Sequence, residues 1–349
     1  MLDIKELLKY AVHKGASDVH LTVKSPPILR IDGKLESTTM EILSPDEIKR
    51  IIYGLLSDHQ KQQFEADLEL DFSFTVPGLS RFRVNVHMQR SSVEAALRIV
   101  PSHIPTLAEL GLPPIVSDLA RKPNGIVLVT GPTGVGKTTT LAAIVDLINT
   151  EKQYLIVCIE DPIEYVHHNK RSVIKQREVF ADTHSFASAL KHVLRQDPNL
   201  VVVGEMRDLE TIATALTAAE TGHLVLATLH TPDAVQTIDR IIDVFPPHQQ
   251  QQIRIQLAST LQAVVSQQLI VTAKGTGRVV ACEVMAATSA IRNLIRERAT
   301  EQIPTLIQTG STYGMQSMDK SLKELVRKGI VTFEAVRDRI KNIEEFESL

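Results

Sequence analysis

The sequence predicts an α/β protein in two parts, and three observations predict it. From Ile126 onward, short apolar runs alternate with helical stretches, the pattern of a parallel sheet covered on both faces. Before residue 100 the apolar pattern alternates with a period of two between turn signals, the mark of antiparallel hairpins. Between them Pro101, Pro105, Pro113 and Pro114 crowd one stretch; each fixes φ and removes a donor. We place a small α+β domain at residues 1–100, a proline-bearing linker at 101–115, and the larger domain at 116–349 with helices at its C-terminal end.

The elements follow in order. Leu2 to His13 repeats apolar residues at helical spacing, and Gly15 can stop it. "DVHLTV" alternates as a strand, and "PPILRIDGKLE" is a hairpin with Asp32-Gly33 at its turn. Ser44, Pro45 and Glu47 form a capping box for a helix carrying Ile48, Ile51, Ile52, Leu55 and Leu56 on one face. After a second short helix, "LELDFSFTV", "SRFRVNVHMQ" and "VEAALRIV" predict three antiparallel strands. In the larger domain "IVLVT", "YLIVCIE", "LVVVGE", "HLVLATLH" and "VVACEVM" predict strands, and short amphipathic helices follow Ser289.

Bulk composition excludes several classes. The 349 residues exceed one ordinary core, and a net charge of −3 gives no global basic excess. Aromatics are 4% with no Trp, which argues against a stacking groove for nucleic acid. Cys158 and Cys282 are the only cysteines, too few for a disulfide framework or cysteine-rich zinc site; two buried thiols are expected. The N-terminus carries charges throughout, unlike a signal peptide, and no run of 18 apolar residues predicts a transmembrane segment. A cytoplasmic protein is expected.

The chemistry centres on Gly131-Pro132-Thr133-Gly134-Val135-Gly136-Lys137-Thr138, which fits G-x-x-x-x-G-K-[ST] between a strand and a helix. Its glycines let backbone N–H groups face a phosphate, and the helix adds its positive end. Lys137 is expected to reach the β- and γ-phosphates, and the Thr138 hydroxyl to hold Mg²⁺; Thr139 follows on the same turn. Acids end two strands: Glu160, Asp161 and Glu164 after "LIVCI", and Glu205 after "LVVV". Hydrolysis needs one carboxylate on the metal side and another to position water. His230 ends a strand, where open α/β sheets hold ligands, and is a candidate sensor of the γ-phosphate. His223, at the other end of that strand, fits a structural role as well, and His167-His168 lacks metal-ligand spacing and is expected in solvent. Arg81, Arg83, Arg90 and Arg98 fall in the N-terminal strands, with Arg81 and Arg83 on one face. Two roles fit them: a solvated face, or a set serving the phosphates of a neighbouring subunit.

Together, "GPTGVGKT", "IEDPIEY", "VVVGEMRD", "TGHLVLATLHT" and "AIRNLI" resemble the type IV pilus retraction ATPases of the secretion ATPase superfamily, in order and over essentially the whole chain. The resemblance implies a PAS-like N-terminal domain, a RecA-like P-loop ATPase domain, and a homohexameric ring hydrolysing ATP with Mg²⁺. It implies Glu164 as catalytic base, Glu205 as the acid acting on Mg²⁺ and its water, and His230 in a histidine box. Arg81, Arg83, Arg98, Arg195 and Arg207 become candidates for phosphate or inter-subunit contacts. Ala290, Ile291, Arg292, Asn293, Leu294 and Ile295 form the segment the family needs for retraction rather than for nucleotide binding. The implied partners are an inner-membrane pilus platform protein and a paralogous retraction ATPase, with no nucleic acid; the ring would sit peripherally at the inner membrane. Gln196 departs from the family, where many relatives carry glutamate before "DP". Extension and type II secretion ATPases usually carry a tetracysteine motif, which two distant cysteines exclude. Competing expectations are a partner-dependent paralogue, an assembly ATPase, and a RecA-like nucleic-acid translocase.

Overall fold

The structure is a computed structural model that describes residues 2–31, 33–101, 103–342 and 346. The chain divides into two compact units: the residues up to His103 with Glu164–Val166, and Ile104–Ile163 with the residues from His167 onward.

The first unit is one antiparallel sheet with helices on one face. Its strands are β1 (Asp18–Leu21), β2 (Ile28–Ile31), β3 (Lys34–Ser37), β4 (Glu69–Val76), β5 (Ser80–Gln89) and β6 (Ser92–Ile99), in the order β3-β2-β1-β6-β5-β4. The helices are α1 (Ile4–His13), α2 (Pro45–Tyr53) and α3 (Asp58–Asp67). Capping boxes start α2 at Ser44/Glu47 and α3 at Ser57/Gln60, satisfying N–H groups that the helices cannot. Leu55 and Leu56 lie beyond the α2 C-cap at Gly54, so the helix is shorter than the sequence predicts; Leu56 is still buried. Asp32 of the predicted hairpin turn lies outside the described residues.

The two-residue period of β5 sets the character of both faces. Phe82, Val84 and Val86 are buried with Leu7, Leu8, Ile48, Ile52 and Phe64 from the helices. Arg81 and Arg83 therefore stand on the opposite, polar face. Arg90 is not in a strand: it and Ser91 have positive φ and make the two-residue turn between β5 and β6.

The second unit holds seven strands in the order β13-β12-β7-β11-β10-β8-β9. They are β7 (Gly125–Thr130), β8 (Leu155–Glu160), β9 (Val173–Glu178), β10 (Leu200–Val203), β11 (Leu224–Leu229), β12 (Leu261–Val271) and β13 (Arg278–Ala286). Only β13 runs antiparallel to its neighbour. The sequence did not predict β9 or β12. The helices are α4 (Ile115–Ala120), α5 (Lys137–Glu151), α6 (Phe186–Val193), α7 (Leu209–Glu220), α8 (Ala234–Asp243), α9 (Pro247–Thr260), α10 (Ser289–Arg296), α11 (Ile303–Thr309), α12 (Met318–Arg327) and α13 (Phe333–Val336).

Both faces of this sheet are covered, so its central strands are apolar throughout. Ile126 and Leu128 of β7 face a core with α6, α7 and α9, whereas Val127 and Val129 face Leu141, Ile144 and Ile148 of α5. Cys158 and Cys282 are buried free thiols, and burial pushes the Cys282 thiol up to about 12. No helix among the described residues is long and apolar enough to cross a membrane.

Candidate functional site

The site forms where β7, β11 and β10 lie side by side. Leu229 of β11 pairs with Thr130 of β7, so the next residues, His230 and Gly131, emerge level with each other. Val203 of β10 pairs with Ala227, and Glu205 follows two residues later. Parallel register alone thus gathers residues distant in sequence at one sheet edge.

The loop from Gly131 to Gly136 needs its glycines. Gly131 has φ +136°, and a Cβ there would lie 2.5 Å from the Gln267 carbonyl oxygen and 2.9 Å from Val135 Cγ2. Gly134 has φ +80° but open space around it. Gly131→Ala is therefore expected to destabilise the fold by more than Gly134→Ala, which bears only backbone strain of about 1–3 kcal/mol. Denaturant midpoints of the two variants check this; equal losses would show that the Gln267 carbonyl does not limit the site.

α5 begins at this loop. Gly136 at its N-cap supplies no side-chain oxygen, so the first N–H groups of α5 have no capping acceptor from that residue. Thr138 and Thr139 are half-buried on the first turn. The Lys137 ammonium donates to the carbonyls of Gly131 at 2.7 Å and Pro132 at 3.1 Å, folding back over the loop.

His230 links this loop to Glu205. Its Nδ1 lies 3.4 Å from Lys137 Nζ and 3.3 Å from Thr133 Oγ1, and its Nε2 lies 3.0 Å from Glu205 Oε1. The Nε2-protonated tautomer satisfies every contact: N–H to the carboxylate, lone pair to the ammonium and hydroxyl. The same Glu205 oxygen accepts from Arg207 Nε. Burial pushes the Glu205 carboxyl up, but the hydrogen bonds from Arg207 and His230 outweigh it and hold the group below the ordinary carboxylate value. Glu205 is thus an ionised carboxylate held by two donors.

Glu164 lies in the loop after β8 and is exposed. That loop is tied to β9: the Ile163 N–H donates to Glu178 at 3.0 Å, and the His167 N–H to Gln176 at 2.9 Å. His167 is not in solvent as expected; burial lowers its pKa to about 4, so it is a neutral side chain. His168 is exposed. His223 Nδ1 lies 3.0 Å from the Ala218 carbonyl, the bonding of a structural residue. Arg195, just past α6, is exposed.

In the first unit, Arg83 pairs in register with Arg98, and Arg98 with Asp18. Arg98 Nε donates to Asp18 at 2.9 Å, and Arg30 lies 3.8 Å from the same carboxylate. Arg81 donates to Ser73 and, at 3.4 Å, to Thr75.

The "AIRNLI" segment lies in α10. Ile291 and Ile295 are buried, Ala290 and Asn293 exposed, and Leu294 half-buried. Arg292 donates to the carbonyls of Ala287 at 2.9 Å, Ala258 at 2.6 Å and Ser259 at 2.7 Å. The last two belong to the final turn of α9, whose carbonyls lack helical partners.

Sequence reasoning missed the support behind the phosphate loop. Gln267 on β12 is fully buried; it bonds Thr140 of α5 at 2.8 Å, and the adjacent Ser266 accepts from Thr130 at 2.9 Å. The apolar, β-branched ends of the run "AVVSQQLIV" carried the signal, but three polar residues interrupt it and no turn residue separates it from α9.

A strand, glycine loop and helix facing a carboxylate and a histidine that follow neighbouring parallel strands place the chain in the class of P-loop nucleotide-binding proteins. The comparisons narrow the class: a model of the type II/IV secretion system protein family matches residues 1–338, and the chain belongs to that family. It is 49% identical over 345 residues to the type IV pilus retraction ATPase PilT of Pseudomonas aeruginosa, covering 99% of this chain and 100% of that one. It is 48% identical over 318 residues to a twitching motility protein of Neisseria gonorrhoeae, covering 91% of this chain and 85% of the relative. The crystal structure of the pilus retraction motor PilT with bound ADP superposes with a TM-score of 0.93 at 47% identity, covering 100% of both chains.

Proposed function

We propose that this chain is an ATP-hydrolysing motor that powers type IV pilus retraction, and hence twitching motility. The observation that carries this reading is the end-to-end correspondence with retraction ATPases, in sequence and in fold. It acts as a homohexamer in the cytoplasm, peripheral to the inner membrane through the pilus platform protein, and a paralogous retraction ATPase is a further partner. The PAS-like domain is residues 1–100 and the ATPase domain residues 116–349, joined by the linker at 101–115.

The roles follow from the chemistry of the residues. The N–H groups from Thr133 to Thr139 hold the phosphates, and Lys137 leaves the Gly131 and Pro132 carbonyls to reach them. His230 senses the γ-phosphate, because its Nδ1 already faces Lys137 and Thr133. The Thr138 hydroxyl and the ionised Glu205 are an oxygen-only set that suits Mg²⁺, the carboxylate acting partly through water. When bound with nucleotide, Mg²⁺ supplies neutralisation of the phosphate charge. Glu164 is the base that orients the attacking water. Arg81, Arg83 and Arg98 serve the phosphates of the neighbouring subunit, with Arg195 and Arg207 as further contacts.

A strain lacking this gene tests the reading. Surface pili are expected to persist or accumulate while twitching stops. Loss of surface pili would replace retraction by assembly. An unchanged phenotype would leave the partner-dependent paralogue.

A further inference from the structure

The segment around Lys341 is tied to the turn that carries His230. Asp233 follows His230 by three residues and caps α8, its Oδ1 accepting the Gln236 N–H at 2.9 Å. Its Oδ2 accepts from Lys341 Nζ at 2.7 Å, across 108 residues of sequence. Two more carboxylates complete the attachment. Glu283 of β13 accepts the Ala234 N–H at 2.9 Å, fixing the first residue of α8. Asp319 of α12 accepts the N–H groups of Lys341 at 3.0 Å and Asn342 at 2.8 Å. Phe346 packs on Phe333 beyond them, with ring centroids 5.7 Å apart.

The arrangement is asymmetric. Asp233 and Glu283 place two acids at the start of α8, Asp319 adds a third from α12, and all three favour the charged form of Lys341. The Asp233 side chain is 12% exposed, whereas Lys341 is 61% exposed. A half-solvated lysine adds little to global stability. Its bond nevertheless fixes the orientation of a carboxylate three residues from the histidine. Without it the Asp233 carboxylate is held by Gln236 alone, through its N–H at 2.9 Å and its side-chain amide at 3.2 Å, and the turn through Pro232 that carries the imidazole loses its side-chain tie to the segment around Lys341.

We propose that Lys341 is a positioning residue for His230: through Asp233 it holds the turn between β11 and α8 so that the imidazole stays between Lys137 and Glu205. The inference rests on His230 contacting the γ-phosphate. It makes the segment near the chain's end part of the nucleotide response.

The test compares nucleotides with and without a γ-phosphate on the full-length protein. Lys341→Met is expected to weaken a non-hydrolysable ATP analogue with Mg²⁺ about fivefold, the scale of coupling between groups in one network. ADP affinity and the melting temperature stay unchanged, and Lys341→Arg restores analogue binding. An unchanged analogue affinity, equal weakening of both nucleotides, or a lowered melting temperature with both affinities reduced would overturn the proposal. His230→Ala is the control for the underlying reading and must lose the same discrimination. If it does not, the γ-phosphate role of His230 fails and Lys341 fails with it. If His230→Ala loses the discrimination as expected and Lys341→Met keeps it, the positioning inference alone fails.

Discussion

Glu164→Gln is expected to bind ATP normally and to turn it over about 10²–10⁴-fold more slowly, the range for losing a general base. Two observations make this a sharp test. Glu164 is exposed, so the substitution should change stability by no more than about 0.5 kcal/mol. Its loop is held through Ile163 and His167, by bonds that leave the Glu164 side chain out. A slow variant that melts normally and binds a non-hydrolysable analogue would thus have lost chemistry, not shape. Glu205, the other carboxylate, is a poor substitute. One of its oxygens already accepts from both Arg207 and His230, which hold it ionised and oriented. Normal turnover by Glu164→Gln would remove Glu164 as the base and require another group to position water.

What was legible in the sequence divides along physical lines. The strands β7, β8, β10 and β11 are buried on both faces, so each is a short apolar run that needs no partner to be recognised. The capping box of α2 is local and depends on residues three apart. β9 was not legible, because its "VIKQRE" forms an edge where four of the six side chains are polar. β12 was hidden by continuity: α9 ends at Thr260 and the strand starts at Leu261. The phosphate loop was legible as a motif. That His230 faces Lys137, 93 residues away, follows only from strand order, which hydrophobic pattern does not encode. Arg292 is a similar case. The segment around it was visible, but its bonds to the end of α9, over 30 residues earlier, were not.

Those bonds reshape the expectation for Arg292→Ala, which should abolish motility while ATP binding survives. The guanidinium closes the C-terminus of α9, where a cation also opposes the negative end of the helix dipole. Burial and the nearby Arg296 both act against its charge, so the position is held by the carbonyls it bonds. Removing it strands those acceptors, at a cost of about 1–3 kcal/mol for each one left buried and unpaired. Lost motility in this variant has two causes to separate: a loosened α9–α10 packing, or a missing contact to the pilus machine. Asn293→Ala separates them. Asn293 is exposed, and its side-chain bond is a 3.4 Å contact from Arg296 on the same helix. It should melt within about 0.5 kcal/mol of wild type. If Asn293→Ala also stops twitching, the exposed side of α10 carries force to a partner. If it twitches normally while Arg292→Ala is both destabilised and immotile, the segment acts by bracing α9. Full motility in both variants would take α10 out of the retraction mechanism.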